Sequence, residues 1–233
     1  MSKLLLAVPS KGRLEQDTRA AFAKAGLPIE RPGGARSYQG EIVGHDDIVV
    51  RFLSAGEIAA ELIRGNLHLG VTGADLIHET ALNGPELVDF AIPLGFGEAD
   101  VVVALPRSWI DVNNMADLSD VASDFFTNRP RRLKVATKYI NLTRRYFAAH
   151  SINDYQIVES LGATEAAPAS GAADLIVDIT STGSTLKANG LKVLKDGVML
   201  HSQANLIVSK TAKMDAAVKE KLQFLLASFT NGA

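Results

Sequence analysis

The chain has 233 residues, 47% of them hydrophobic, which is enough apolar mass for one large core or two modest ones. Its 24 basic and 26 acidic residues leave a net charge of −2, so no overall basic field draws nucleic acid or an anionic membrane, and any polyanionic substrate must be met by local charge. The absence of cysteine excludes disulfides, thiolate metal sites and a cysteine nucleophile. The five histidines (His45, His68, His78, His150, His201) lack metal-ligand spacing and read as surface or packing groups.

The N-terminal apolar run, Leu4 to Val8, is too short for the core of a signal peptide, and no run approaches the roughly 20 residues of a membrane span. A soluble, cytoplasmic protein is expected. That run reads as a strand, followed by Pro9, Lys11 and Gly12. Leu14, Thr18, Ala21, Phe22 and Ala25 then recur at helical spacing, with Gly26 as a stop. Ile48 to Leu53 is a β-branched strand. Ala55, Ile58, Ala59, Leu62 and Ile63 line a second helical face that ends at Gly65, and Leu67 to Val71 is another strand. Further strands are predicted at Val101 to Leu105, Leu133 to Ala136, Leu175 to Asp178 and Ala204 to Val208. Asn141 is the predicted N-cap of a helix through Phe147. Val218, Leu222, Leu225, Leu226 and Phe229 make a final amphipathic helix. Continuous apolar strands between amphipathic helices predict an α/β protein with mixed, largely parallel sheets. Two polar stretches interrupt the pattern, Arg31 to Asp47 and Ser108 to Arg132, and the second is the predicted entry to another domain.

The most informative segment is Leu175-Ile-Val-Asp178-Ile-Thr180-Ser181-Thr182-Gly183-Ser184-Thr185-Leu186. A buried strand ends in an acid, a loop of small hydroxyl residues follows, and Leu186, Lys187 and Ala188 open a helix. Ligands of α/β sheets bind at the C-terminal ends of strands, and a helix N-terminus presents unpaired N–H groups to phosphate. Gly183 permits close backbone approach, and Thr182, Ser184 and Thr185 add hydroxyl donors. Asp178 is repelled by phosphate and suits a ribose hydroxyl, or a metal ion carrying the phosphates. The alternative is a polar strand-to-helix turn capped by Ser or Thr.

Glu165, Gly171, Ala173, Ile176, Asp178, Ile179, Thr182, Gly183, Thr185 and Leu186 fill, over 22 positions, every fixed place of a motif that resembles the diagnostic one of ATP phosphoribosyltransferases. Pro9-Ser-Lys11-Gly12-Arg13-Leu14, Gly70-Val-Thr-Gly73-Ala-Asp75, Leu94-Gly-Phe-Gly97 and Ala136-Thr-Lys-Tyr139-Ile-Asn141-Leu-Thr-Arg144 resemble other segments of that family, and the likeness runs from about residue 4 to about residue 210. It resembles the short form, since the long form continues into a regulatory domain for which this chain has no room. The resemblance implies two α/β domains of the type II periplasmic-binding-protein-like fold with an active-site cleft. Domain I, the nucleotide side, is expected at 1–104 plus 187–233, and domain II, with the phosphoribosyl pyrophosphate loop, at 105–186. It further implies magnesium (Mg2+) held mainly by substrate phosphates. It also implies a regulatory subunit resembling histidyl-tRNA synthetase, with this chain a homodimer within a hetero-octamer, and no nucleic-acid or membrane partner.

The implied reaction joins N1 of the adenine of ATP to the anomeric carbon of phosphoribosyl pyrophosphate and releases pyrophosphate. N1 carries no proton to remove, so the work is positioning two polyanions and stabilising charge. By resemblance, Asp178, Thr180, Ser181, Thr182, Gly183, Ser184 and Thr185 hold the phosphoribosyl group, with Glu165 near the same ribose. Lys11, Arg13, Gly73 and Asp75 are assigned to ATP, and Lys11, Arg36 and Arg51 are the candidate catalytic cations. By the same resemblance many members carry an arginine near the position of Ser54, so either Arg51 or Arg36 meets pyrophosphate or the partner subunit reorganises the site. Two competing readings are an ordinary purine or pyrimidine phosphoribosyltransferase, in which a second acid usually follows the first where Ile179 stands here, and a solute-binding or sensing module of the same fold.

Overall fold

A computed structural model describes residues 2–34, 37–129 and 131–231. The chain divides into two compact units, Met1–Gly97 with Gln203–Ala233, and Glu98–Ser202. The first carries β1 (Leu4–Pro9), α1 (Gly12–Lys24), β2 (Ile29–Glu30), β3 (Gln39–Ile42), β4 (Ile48–Leu53), α2 (Ala55–Arg64), β5 (Leu69–Gly73), α3 (Ala74–Thr80) and β6 (Val88–Pro93). The second carries β7 (Ala99–Pro106), α4 (Met115–Asn128), β8 (Leu133–Thr137), α5 (Ile140–Ala149), β9 (Tyr155–Glu159), β10 (Leu175–Thr180), α6 (Ser184–Ala188) and β11 (Leu191–Ser202). The chain then returns to the first unit as β12 (Ala204–Ser209) and α7 (Ala216–Asn231).

The sheet of the first unit has the order β2-β3-β4-β1-β5-β12-β6, and all its strands but β3 and β12 run one way. Alternation along β1 sends successive side chains to opposite faces. Leu4, Leu6 and Val8 pack with Phe22 of α1 and Val218, Leu222 and Leu225 of α7. Ala7 packs on the other face with Ile58, Ala59 and Leu62 of α2. Burying each larger aliphatic chain contributes roughly 1.5–3 kcal/mol. The α2 helix lies close on β5 because Gly70 has no side chain: a Cβ there falls 2.6 Å from Cγ2 of Ile58. The sheet of the second unit has the order β11-β7-β10-β8-β9, with only β7 reversed. Its faces are covered by α4 and α5 on one side, through Met115, Leu118, Phe125, Leu142 and Phe147, and by Leu186 of α6 with Ala173 on the other. Among the described residues no helix is long and apolar enough to cross a membrane.

Three expectations are corrected. The Ser108–Arg132 stretch is not where the chain crosses between units but holds α4, opened by a capping box between Asn114 and Asp117. The crossings fall at 97/98 and 202/203 rather than after 104 and 186. The reason is hydrogen bonding: β7 pairs with both β10 and β11, so 98–104 and 187–202 stay with the second unit. Asn141 is not an N-cap. The cap position is Tyr139, whose amide donates to Oγ1 of Thr137 at 2.8 Å. The Arg31–Asp47 stretch contains β3, whose short, polar sequence carries little strand signal.

His68 ties two segments of the first unit. Its Nδ1 accepts from the amide of Leu5 at 2.9 Å, and the ring also hydrogen-bonds the backbone of Lys213. Burial holds its pKa below the ordinary histidine value, against the hydrogen bond to Lys213 and the charge of Asp215, which favour the proton. A depressed histidine pKa means the folded state binds the proton less well than the unfolded chain. Its contribution is therefore whole above the ordinary value near ~6.5 and is lost as pH falls from there through the lower folded value. Substitution of His68 by leucine is expected to cost about 1–3 kcal/mol, the penalty of an unsatisfied amide. Denaturant midpoints at pH 7.5 and 5.5 are expected to converge for wild type and variant at the lower pH.

Candidate active site

β10 is fully buried through Leu175, Ile176 and Val177 and opens at Asp178. It lies between β7, antiparallel, and β8, parallel, so Asp178 stands at the C-terminal ends of two parallel strands. One carboxylate oxygen of Asp178 accepts from the amide of Ile179 at 2.8 Å. Burial pushes this carboxyl above the usual range. The Ile179 amide and the charge of Lys138 pull it back, and the neighbouring Glu165 adds to the rise. Glu165 sits in a single 3-10 turn, Thr164–Ala166. It lines a cavity of about 350 Å3 together with Asp178, Thr180, Ser181, Thr182, Ser184 and Thr185. The predicted phosphoribosyl residues are thus brought together, with Gly183 in the same turn.

The loop holds its own shape. Gly183 has φ +68, the left-handed region that favours glycine, and its amide donates to Oγ1 of Thr180 at 2.9 Å. The Thr182 hydroxyl donates to Ser184 Oγ at 2.9 Å. Among the described residues nothing accepts from the amides of Ser181 and Thr182, which leaves both donors for an anion. The helix after the loop begins at Ser184, not Leu186, and has only 5 residues. A macrodipole sums over aligned peptides, so this one is small. Anion affinity here rests on loop amides and hydroxyls more than on a helix end.

In the first unit, Lys11 is exposed at the N-cap of α1 and lines a second cavity, of about 430 Å3, with Ser10, Gly12, Glu15, Arg19, Arg31 and Gly34. Sequence reasoning missed Arg31. Its side chain is only 9% exposed, and its guanidinium lies 4.1 Å from the Phe52 ring centre while donating to the Ser10 carbonyl at 3.3 Å. Locally Arg31 stands between Glu30 and Pro32, ahead of Gly33 and Gly34, a setting that marks a turn and not a site. Arg13 points away, its side chain 91% exposed and 3.5 Å from Asp17. Arg51 is exposed on β4, on the sheet face of its register partner Ala7. The carboxyl of Glu61 on α2 is held low first by hydrogen bonds from Asn66 and Arg64, with the charge of Arg51 adding to them. Neither Arg13 nor Arg51 lines the Lys11 cavity. Arg36 lies outside the described residues. Ser54 caps α2, accepting from the Glu57 amide at 3.3 Å while its own amide donates to the Glu57 carboxylate at 2.9 Å. Gly73 is the N-cap residue of α3, and Asp75 is buried in its first turn, already engaged within the protein.

The sequence matches the ATP phosphoribosyltransferase family over residues 54–230. It is 58% identical over 222 residues to the ATP phosphoribosyltransferase of Rhodopseudomonas palustris (strain BisA53), an alignment covering 95% of this chain and 68% of the relative. Among solved structures, a chain of the ATP phosphoribosyl transferase (HisG:HisZ) complex from Thermotoga maritima matches with TM-score 0.74 and 26% identity, over 98% of both chains. The arginine-, lysine-, histidine-binding protein ArtJ of Geobacillus stearothermophilus shares the fold, at TM-score 0.52 and 13% identity, over 99% of this chain and 93% of that one. The α/β architecture is therefore of the type II periplasmic-binding-protein-like kind. Its strand, acid and hydroxyl loop carry the family's motif intact, and the chain belongs to the ATP phosphoribosyltransferase family.

Proposed function

We propose that the chain transfers the phosphoribosyl group of phosphoribosyl pyrophosphate to N1 of ATP, giving phosphoribosyl-ATP and pyrophosphate, the first step of histidine biosynthesis. The observation that carries this reading is the loop after β10. An acid, two amides without internal acceptors and a set of hydroxyls converge on one cavity, in the order of the family's motif. In this reading the Ser181 and Thr182 amides, with the hydroxyls of Ser184 and Thr185, bind the 5-phosphate. Asp178 and Glu165 accept hydrogen bonds from ribose hydroxyls, and Thr180 and Gly183 hold the loop. Adenine N1 attacks the anomeric carbon as the bond to pyrophosphate breaks, so no base has to take a proton from the nucleophile. The second division of labour is also a proposal: the first unit takes ATP, with Lys11 the principal cation on its phosphates and Arg31 fixing the wall behind it.

In this reading a divalent ion arrives with the substrates and is held mainly by their phosphates. Among the described residues no group of three His, Cys, Asp or Glu side chains is assembled for a metal. Magnesium habitually keeps phosphate and water ligands. Carried by the phosphates, it would supply charge neutralisation for the pyrophosphate leaving group. We further propose that the chain works as the short form in the cytoplasm, as a homodimer within a hetero-octamer completed by a regulatory subunit resembling histidyl-tRNA synthetase. The likeness to a chain of a HisG:HisZ complex supports the partner. Sedimentation of the chain mixed with such a subunit tests it, and failure to co-sediment removes the partner.

The deciding assay mixes the chain with ATP, phosphoribosyl pyrophosphate, magnesium and pyrophosphatase, alone and with that subunit, and follows phosphoribosyl-ATP by absorbance. Absence of product from folded protein in both runs overturns the activity. Within an active preparation, Lys11→Ala is expected to raise KM for ATP by about ten- to a hundredfold, the loss of a charge-assisted contact. The exposure of Lys11 predicts an unchanged melting temperature. An unchanged KM for ATP removes Lys11 from the nucleotide site.

A further inference from the structure

The cavity after β10 has an unusual balance for a site that takes a sugar phosphate. Its lining contains two carboxylates, Asp178 and Glu165, and neither lysine nor arginine. Carboxylates repel phosphate, so a cation must stand nearby for a polyanion to settle there. The structure supplies one. β8 and β10 run parallel with Thr137 beside Val177. Lys138 and Asp178 are the next residues along the two chains, Lys138 just past the end of β8 and Asp178 within β10.

Lys138 is exposed, its ammonium 5.0 Å from the ring centre of the buried Tyr139. The position is set by the backbone, because the chain turns sharply there: the Tyr139 amide returns to Thr137 Oγ1 at 2.8 Å and the Ser160 amide to the Thr137 carbonyl at 3.0 Å. The ammonium makes no ion pair among the described residues. Its charge is felt at Asp178. The other charged groups around Asp178 are few. Glu165 faces the same cavity, and β7 places apolar Val102 opposite Asp178. Asp100 stands one pleat along, 2.6 Å from His201 of β11. Lys187 is exposed on α6.

We infer that Lys138 is a positioning residue of the phosphoribosyl site, its ammonium balancing the Asp178 and Glu165 carboxylates so that an anionic sugar phosphate is accepted beside them. This rests on the phosphoribosyltransferase reading and names a residue that reading had not used. Lys138 acts through Asp178, which keeps its charge and its ability to accept from ribose hydroxyls when the cation is present.

Lys138→Met, Lys138→Gln and Lys138→Arg test it, in steady-state kinetics with each substrate varied and in calorimetric binding of ribose 5-phosphate, a readout independent of turnover. Loss of the charge is expected to raise KM for phosphoribosyl pyrophosphate and the Kd for ribose 5-phosphate by about ten- to a hundredfold. KM for ATP is expected to stay unchanged. The acid limb of kcat/KM for phosphoribosyl pyrophosphate is expected to move to higher pH in the Met and Gln variants, because Asp178 then takes a proton more easily, and Arg is expected to restore both. Wild-type values in a folded Met or Gln variant overturn the inference. So does equal loss in all three, which assigns Lys138 to packing on Tyr139. An inactive wild type fails the phosphoribosyltransferase reading instead, while ribose 5-phosphate binding still reads out Lys138 separately.

Discussion

Replacement of Asp178 by asparagine is expected to lower kcat/KM for phosphoribosyl pyrophosphate by about two to three orders of magnitude, the scale set by removal of one preorganised polar group at a reacting centre. The protein is expected to stay folded. Asparagine keeps the shape and an acceptor oxygen for the Ile179 amide, now at 2.8 Å from the carboxylate. In the proposed reaction what it loses is the negative charge assigned to the ribose, where positive charge develops as pyrophosphate departs. Stability is predicted to move the other way. Burial raises the Asp178 carboxyl above its unfolded value, so at neutral pH the ionised group costs the folded state, and that cost fades as pH falls through the raised value. The variant is therefore expected to melt at the same temperature as wild type or slightly above it at pH 7, with the gap closing toward acid pH. Wild-type kcat/KM is expected to fall with acid through that raised value. Kinetics and melting on one preparation check both, and a variant that is less stable but fully active removes Asp178 from the ribose.

The residues that line the cavity after β10 were legible together in the sequence, for a physical reason. A buried strand, an acid and a loop of small hydroxyl residues are local features, and the chain from Leu175 to Thr185 builds most of the cavity by itself. The central strands were equally legible, since β1, β4 and β10 are nearly continuous apolar runs, β4 broken only by the exposed Arg51. What escaped was whatever depends on distant partners. β11 alternates lysine, aspartate and apolar residues along 12 positions and becomes a strand only by pairing with β7. That pairing is also what moves the crossings between units. α4 lay hidden because its predicted region was judged on its polar ends, whereas Met115, Leu118, Ala122 and Phe125 form the buried stripe. Arg31 and Lys138 were passed over because nothing local marks them. Arg31 is defined by Phe52 and Ser10, and Lys138 by the parallel strand beside it.

Ser54 shows the limit of a position-by-position reading. Where the resemblance led to an expected arginine, this chain has a helix cap, with Ser54 and Glu57 satisfying each other's backbone amides. Hydrogen bonding to Ser54 holds the Glu57 carboxyl below its ordinary range. The residue has a complete structural role and leaves no cation at that place. The positive charge for the leaving group must then come from elsewhere. In the first unit the cations that line a cavity are Lys11, Arg19 and Arg31 rather than Arg51. Of these, Arg19 is bonded to the Ile29 carbonyl at 3.1 Å and Arg31 to Ser10, so Lys11 is the one without a hydrogen bond within the described structure.

Gly183→Val is expected to reduce kcat/KM for phosphoribosyl pyrophosphate by about a hundredfold, mostly through KM, in a protein that still folds. The cause lies in the backbone. At φ +68 a side chain pays a strain of roughly 1–2 kcal/mol, more for a β-branched one. A Cβ built there meets nothing within 4 Å, so the protein itself has room for it. Relief of that strain turns the Gly183 amide away from Thr180 Oγ1 and spoils the aim of the Ser181 and Thr182 amides at the phosphate. A graded series separates strain from obstruction. If the left-handed conformation is the requirement, Gly183→Asn is expected to retain most activity, since asparagine visits that region readily, with Gly183→Ala intermediate and Gly183→Val worst. If instead the phosphate itself fills the space beside Gly183, any Cβ obstructs it, and all three variants lose affinity for ribose 5-phosphate alike while their melting temperatures still follow the strain. The rank order of binding, set against the rank order of melting, therefore tells whether this glycine is present for the shape of the loop or for contact with the substrate.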